Sequence, residues 1–130
     1  MTKLEEVEYL LRRSKRFYET ATIQMDRGFH DLAVFSLEQS LQLFLKASLL
    51  KTGIDFPRIH SVRRLLEMLH EVTGEDGIKE VLRRFNVELG ALEDAYIMSR
   101  YVARDYNRKE VERFKEVVEE VMKVVGEVVG

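Results

Sequence analysis

The chain has no cysteine, a single proline (Pro57) and only seven glycines in 130 residues. Without thiols there can be no disulfide, no thiolate metal site and no cysteine nucleophile. Asparagine and glutamine are also scarce, whereas lysine, arginine and glutamate abound, a trend of proteins from hot-growing sources. Charge of one sign is lacking too. The formal net charge of -2 removes bulk electrostatics as a sign of nucleic-acid binding, so any such role must rest on a local patch. No apolar run approaches the roughly 18 residues of a membrane span. Glu5, Glu6 and Glu8 interrupt any apolar stretch near the start, so nothing there reads as a signal peptide. The expected location is the cytoplasm.

What is present is 45% hydrophobic and 34% charged residues, enough for one core with a wet exterior and so for a single domain over residues 1–130. One proline, with glycines mostly at punctuation points, favours long helices over strands. A first helix is expected from about Lys3 to Asp26, opened by Thr2 and Glu5 at capping-box spacing. Its inner stripe is Leu4, Val7, Leu11, Ser14, Tyr18, Ala21 and Met25, thickened by Leu10 and Phe17. A second helix is expected from about Phe29 to Lys51, with two apolar stripes and only Glu38 and Lys46 as charges between Leu32 and Leu50. Such a helix is central in a bundle or part of an interface. Ser61 can cap a third helix carrying Val62, Leu65, Leu66 and Leu69. A fourth helical region is expected from about Ile78 to Arg104, bent or broken near Asn86 to Gly90. Asn107 and Glu110 repeat the capping-box spacing before a valine-rich last helix. The valines step by threes and fours, so the period overrides their preference for strands. The fold class is therefore all-α, an up-and-down bundle of four to five helices. A leftover apolar face would make it a homodimer.

Catalytic motifs mostly fail here. Glu67 and His70 have the spacing of half a di-iron motif, but His30 and His60 lack a glutamate three residues earlier, so no metal is expected. No phosphate-cradling loop and no nucleophile elbow occurs. The richest stretch runs from Tyr96 to Lys109, where Arg100, Arg104, Arg108 and Lys109 face one acid, Asp105, with Tyr96, Tyr101 and Tyr106 interleaved. Guanidinium groups match phosphates and rings stack bases; basic residues also simply suit a helix C-terminus. Tyr96, Arg100 and Arg104 share a face if the helix persists. Lys46 is either a cation for an anionic ligand or a snorkelling side chain. His60 and Ser61 sit where helix-start amides could bind an anion, although Ser61 is first a cap. Arg12, Arg13, Lys15 and Arg16 read as part of a solvated mixed-charge face with Glu5, Glu6, Glu8 and Glu19.

The run Gly28-Phe29-His30-Asp31-Leu32-Ala33-Val34-Phe35-Ser36-Leu37-Glu38-Gln39-Ser40, then Leu45-Lys46-Ala47, Gly53, Pro57, His60-Ser61, Leu65-Leu66 and Tyr96-x-x-Ser99-Arg100-Tyr101, resembles the HEPN family. The resemblance covers nearly the whole chain. It implies a bundle of four or five helices, often a homodimer, commonly paired with a minimal nucleotidyltransferase in a toxin-antitoxin-like module. Some members are metal-independent ribonucleases whose motif is an arginine, four to six intervening residues, and then a histidine. If Arg100 is that arginine, the positions in reach hold Asp105, Tyr106 and Asn107, and no histidine follows His70. The usual acid/base imidazole is missing. The family's proline after serine-arginine-tyrosine is replaced by Val102, which would let the helix continue. The expectation is a non-catalytic protein without cofactor, binding a nucleotide or another anion through Lys46, His60, Ser61, Arg100, Tyr101 and Arg104, with RNA as a further ligand. A divergent ribonuclease using Arg100 with Asp105 or Tyr106, and a purely structural interaction module, are the alternatives. In some paired systems a tyrosine beside the motif is adenylylated, which points to Tyr106 or Tyr101.

Overall fold

The computed structural model describes residues 1–55, 58–98 and 104–130; Arg100, Tyr101 and Pro57 lie outside them. The first helix, α1, is Lys3–Asp26. The Thr2 hydroxyl accepts from the Glu5 amide at 3.2 Å. The expected box is only half formed, because the Glu5 carboxylate accepts the Thr2 hydroxyl at 3.0 Å. Gly28, at φ 78, turns the chain into α2, His30–Lys51. α1 and α2 pair along their length, and their crossing is fixed by two buried serines. Ser14 Oγ donates to the Ser40 carbonyl and Ser40 Oγ donates to the Ser14 carbonyl, each at 2.7 Å. Small side chains permit that close approach, and the reciprocal bonds satisfy both hydroxyls.

Both stripes of α2 are used, as a helix apolar on more than one side requires. It packs against α1, α3, α5 and α6. Leu37, Leu41, Leu45 and Leu49 lie in the main core with Leu65, Leu66 and Leu69 of α3, Val62–Thr73. Ala47 and Leu50 instead meet Val7 and Leu10 of α1 in a smaller cluster. The fourth region is two helices: α4, Asp76–Arg84, and α5, Asn86–Met98. The chain leaves helical geometry at Phe85 (φ -108, ψ 18), one residue before the expected break, while the Phe85 ring is buried. This split gives six helices among the described residues where four to five were expected. The last helix, α6, is Arg108–Val129. Its capping box is complete: Glu110 N donates to Asn107 Oδ1 at 2.9 Å and Asn107 N donates to Glu110 Oε1 at 3.0 Å. Val111, Val117, Val118, Val121 and Val125 are buried against the core. None of the described helices is long and apolar enough to cross a membrane.

Gly126 lies inside α6, and a Cβ there would meet nothing within 4 Å. Gly126→Ala is therefore expected to stabilise the protein by about 0.5–1 kcal/mol, by restricting the unfolded chain without a clash. Urea unfolding measures it; a loss of stability would mean that this turn does not hold its helical geometry.

Candidate functional site

Three residues of α2 build the interior polar feature of the bundle. Glu38, Gln42 and Lys46 are spaced by four, so they line one helix face, and all three are buried. Gln42 Nε2 donates to Glu38 Oε2 at 2.9 Å, and Lys46 Nζ donates to Gln42 Oε1 at 3.0 Å. Gln39 Nε2 donates to the other carboxylate oxygen at 2.8 Å. His60 Nδ1 lies 3.1 Å from the same Gln42 oxygen that Lys46 uses. That oxygen can only accept, so the network assigns the proton to Nδ1. Burial pushes Glu38 up to about 7, against the lowering effect of the Gln42 and Gln39 amides and of Lys46. Burial also lowers Lys46, which Glu38 partly offsets. Lys46 is thus neither a bare cation nor a snorkelling one: a carboxamide couples it to the only other charge on that part of α2. The i, i+4, i+8 spacing within an otherwise apolar run was the signal that could have found Glu38 and Gln42.

His60 continues into a ring stack. Its centroid is 5.6 Å from that of Tyr96, which lies 6.2 Å from Phe35 with the rings nearly parallel. Ser61 caps α3 through the Arg64 amide at 3.1 Å, but its hydroxyl also donates to Glu93 Oε1 at 2.6 Å. The Arg63 amide donates to the same oxygen at 2.9 Å. The Arg63 side chain grips the other oxygen through Nε and Nη2 at 3.1 and 2.8 Å. The helix-start anion position is therefore filled by the protein's own Glu93. Burial alone would raise this carboxyl, but the hydrogen bonds from Arg63 and Ser61 outweigh it and hold Glu93 below its ordinary value. Gly90, expected at the bend, lies within α5 and serves this clasp: a Cβ there would come to 3.1 Å from Arg63 Nη1.

Arg104 sits elsewhere. Residues 104–107 are not helical, so Arg104 does not continue a face shared with Tyr96. Its guanidinium lies 4.5 Å from the Tyr106 ring centroid and 3.5 Å from Glu110. Tyr106 packs edge-on against Phe114, centroids 6.2 Å apart, and its carbonyl is 3.0 Å from His30 Nδ1 at the start of α2. Burial raises the Tyr106 hydroxyl above its ordinary pKa, with Arg104 opposing. Between α5 and the start of α6 lies an open cleft of ≈ 410 Å³. Val87, Ala91 and Phe114 give it an apolar side, Arg104, Lys109 and Arg113 line it with cations, and Glu88 and Glu110 line it with carboxylates. Arg113 pairs with Glu88 at 2.7 Å, whereas Lys109 makes no ion pair among the described residues. The structure thus divides the candidates. Lys46 belongs to the buried network and the exposed His60 to its outer end, Ser61 to the Glu93 clasp, and Arg104 to the cleft, where Lys109 and Arg113 join it.

A bundle of helices with this order of motifs belongs to a recognisable class. A family model for the HEPN domain matches residues 7–128, nearly the whole chain, and the protein is a member of that family. A search of the curated proteins finds no match.

Proposed function

We propose that this HEPN-domain protein is non-catalytic, binds a nucleotide in the cleft between α5 and α6, and works as a homodimer beside a minimal nucleotidyltransferase in a toxin-antitoxin-like module. The observation that carries the binding is the excess of cations, Arg104, Lys109 and Arg113 against Glu88 and Glu110, around a cleft with an apolar side. Its volume, ≈ 410 Å³, suits a small ligand. Guanidinium and ammonium groups would hold phosphates, and Phe114, Val87 and Ala91 would cover a base or ribose. Arg100 and Tyr101, outside the described residues, remain the sequence's own candidates for phosphate and base. The dimer and the partner rest on the family.

The lack of catalysis rests on the missing imidazole. Asp105, Tyr106 and Asn107 occupy the positions where a histidine would serve Arg100. A Tyr106 hydroxyl raised by burial is a poor base at neutral pH. Its ring, half-buried beneath Arg104, also disfavours Tyr106 as an adenylylation target. The test is equilibrium dialysis of the protein with ATP and a labelled RNA in EDTA. The expected result is retained ATP recovered unchanged and RNA left intact. Metal-independent RNA cleavage that disappears in Arg100→Ala would replace this reading with the ribonuclease.

A further inference from the structure

The outward side of α1 breaks the pattern of the rest of the surface. Residues 9–18 carry Arg12, Arg13, Lys15 and Arg16 and no acid. None of the four makes an ion pair among the described residues, although Glu5, Glu6, Glu8 and Glu19 are near in sequence. By contrast, Arg63, Arg64, Arg83, Arg108 and Arg113 each pair with a carboxylate. The stretch from Tyr9 to Tyr18 is thus basic, with Glu8 and Glu19 one helical turn from Arg12 and Lys15.

This face also has the spacing of a helix-packing seam. Tyr9, Arg13, Arg16, Thr20 and Ile23 step by four, three, four and three, the rhythm at which helices meet, and all five are exposed. The inner face of α1 is a different set: Val7, Leu10, Ser14, Ala21 and Met25. A groove of ≈ 330 Å³ runs along the seam. Arg13 is fixed within it, its guanidinium 5.7 Å from the Tyr9 centroid and 5.9 Å from that of Phe17. Beside both rings, the guanidinium keeps donors free for a carboxylate. Packed antiparallel about a point between Arg13 and Arg16, or parallel in register, a second copy of α1 would set arginine against arginine.

We propose that this seam docks an acidic amphipathic helix of a partner protein, with carboxylates on Arg13 and Arg16 and apolar side chains on Tyr9 and Ile23. The proposal uses none of the residues of the nucleotide reading and stands apart from it. The probe is a fluorescent peptide about three heptads long, with glutamates at seam positions opposite Arg13 and Arg16 and leucines at the flanking ones. Its controls are a scrambled peptide of the same composition and a short oligouridylate. Fluorescence anisotropy should show the patterned peptide binding at least tenfold tighter than either control. Arg13→Glu/Arg16→Glu, both at exposed positions, should weaken it at least tenfold with an unchanged circular dichroism spectrum; Arg13→Gln/Arg16→Gln replaces that variant if it does not fold. Absent binding, equal binding of the scrambled peptide, or an unchanged affinity in the variant overturns the proposal. Tighter binding of the oligouridylate overturns it in favour of a nucleic-acid surface.

Discussion

Glu38→Gln is expected to stabilise the protein by about 2 kcal/mol at a pH of about 8, although it removes a charge from a hydrogen-bonded network. The carboxyl is fully enclosed, and burial raises it from an ordinary 4.5 to about 7. A folded-state pKa above the unfolded value means that the folded protein holds the proton more tightly. The contribution is therefore fully present below about pH 4.5 and is lost as pH rises through about 7. At about 1.4 kcal/mol per pH unit, ionising Glu38 costs the folded state about 3 kcal/mol. Glutamine escapes that cost. It gives up about one hydrogen bond, worth about 1 kcal/mol, because its amide would face the Gln39 amide that now donates to Oε1. Urea midpoints at a pH of about 8 and of about 5 measure the effect. Wild type and variant should differ by no more than about 1 kcal/mol at the lower pH. A variant clearly less stable at the higher pH would show that α2 needs the ionised carboxylate opposite Lys46. Glu93 acts in the opposite direction: its depressed carboxyl contributes above its ordinary value and loses that contribution as pH falls through its folded value.

Leu41→Ala is expected to be among the most damaging single truncations. Leu41 is fully enclosed on the helix that touches α1, α3, α5 and α6. A close-packed interior collapses only partly around a lost isobutyl group, so the cost is about 3–4 kcal/mol. Against a total stability of about 5–15 kcal/mol that leaves a marginal fold. Leu4→Ala, at a position 68% exposed, should stay within about 0.5 kcal/mol. Urea unfolding separates the two. A cost below about 1 kcal/mol at Leu41 would mean that α2 is not the central packing element.

The bundle was legible because helix periodicity and caps are local. The bounds of α1 and the full capping box at Asn107 follow from a few neighbouring residues, and the double apolar stripe of α2 foretold its central place. The half-formed box at Thr2 depended on a rotamer choice of Glu5 that spacing cannot decide. The site was harder because its contacts are distant in sequence. Ser61 advertises a helix start, but nothing local says that Glu93, 32 residues away, will occupy it. Lys46 looked alone because its partner carboxylate acts through Gln42, which reads in sequence as an ordinary polar residue. Arg104 would share a face with Tyr96 only if the helix persisted, and Arg104 itself is not helical; its companions Lys109 and Arg113 come from the following helix.

The most direct test of the central claim is calorimetric titration with ATP, without metal, of wild type and of Arg104→Ala and Arg100→Ala variants with unchanged circular dichroism. The account predicts one saturable site per chain, with a dissociation constant tighter than about 0.1 mM, roughly -5.5 kcal/mol, lost or at least tenfold weakened in both variants. No heat in the wild type, or binding that both variants retain in full, would contradict it.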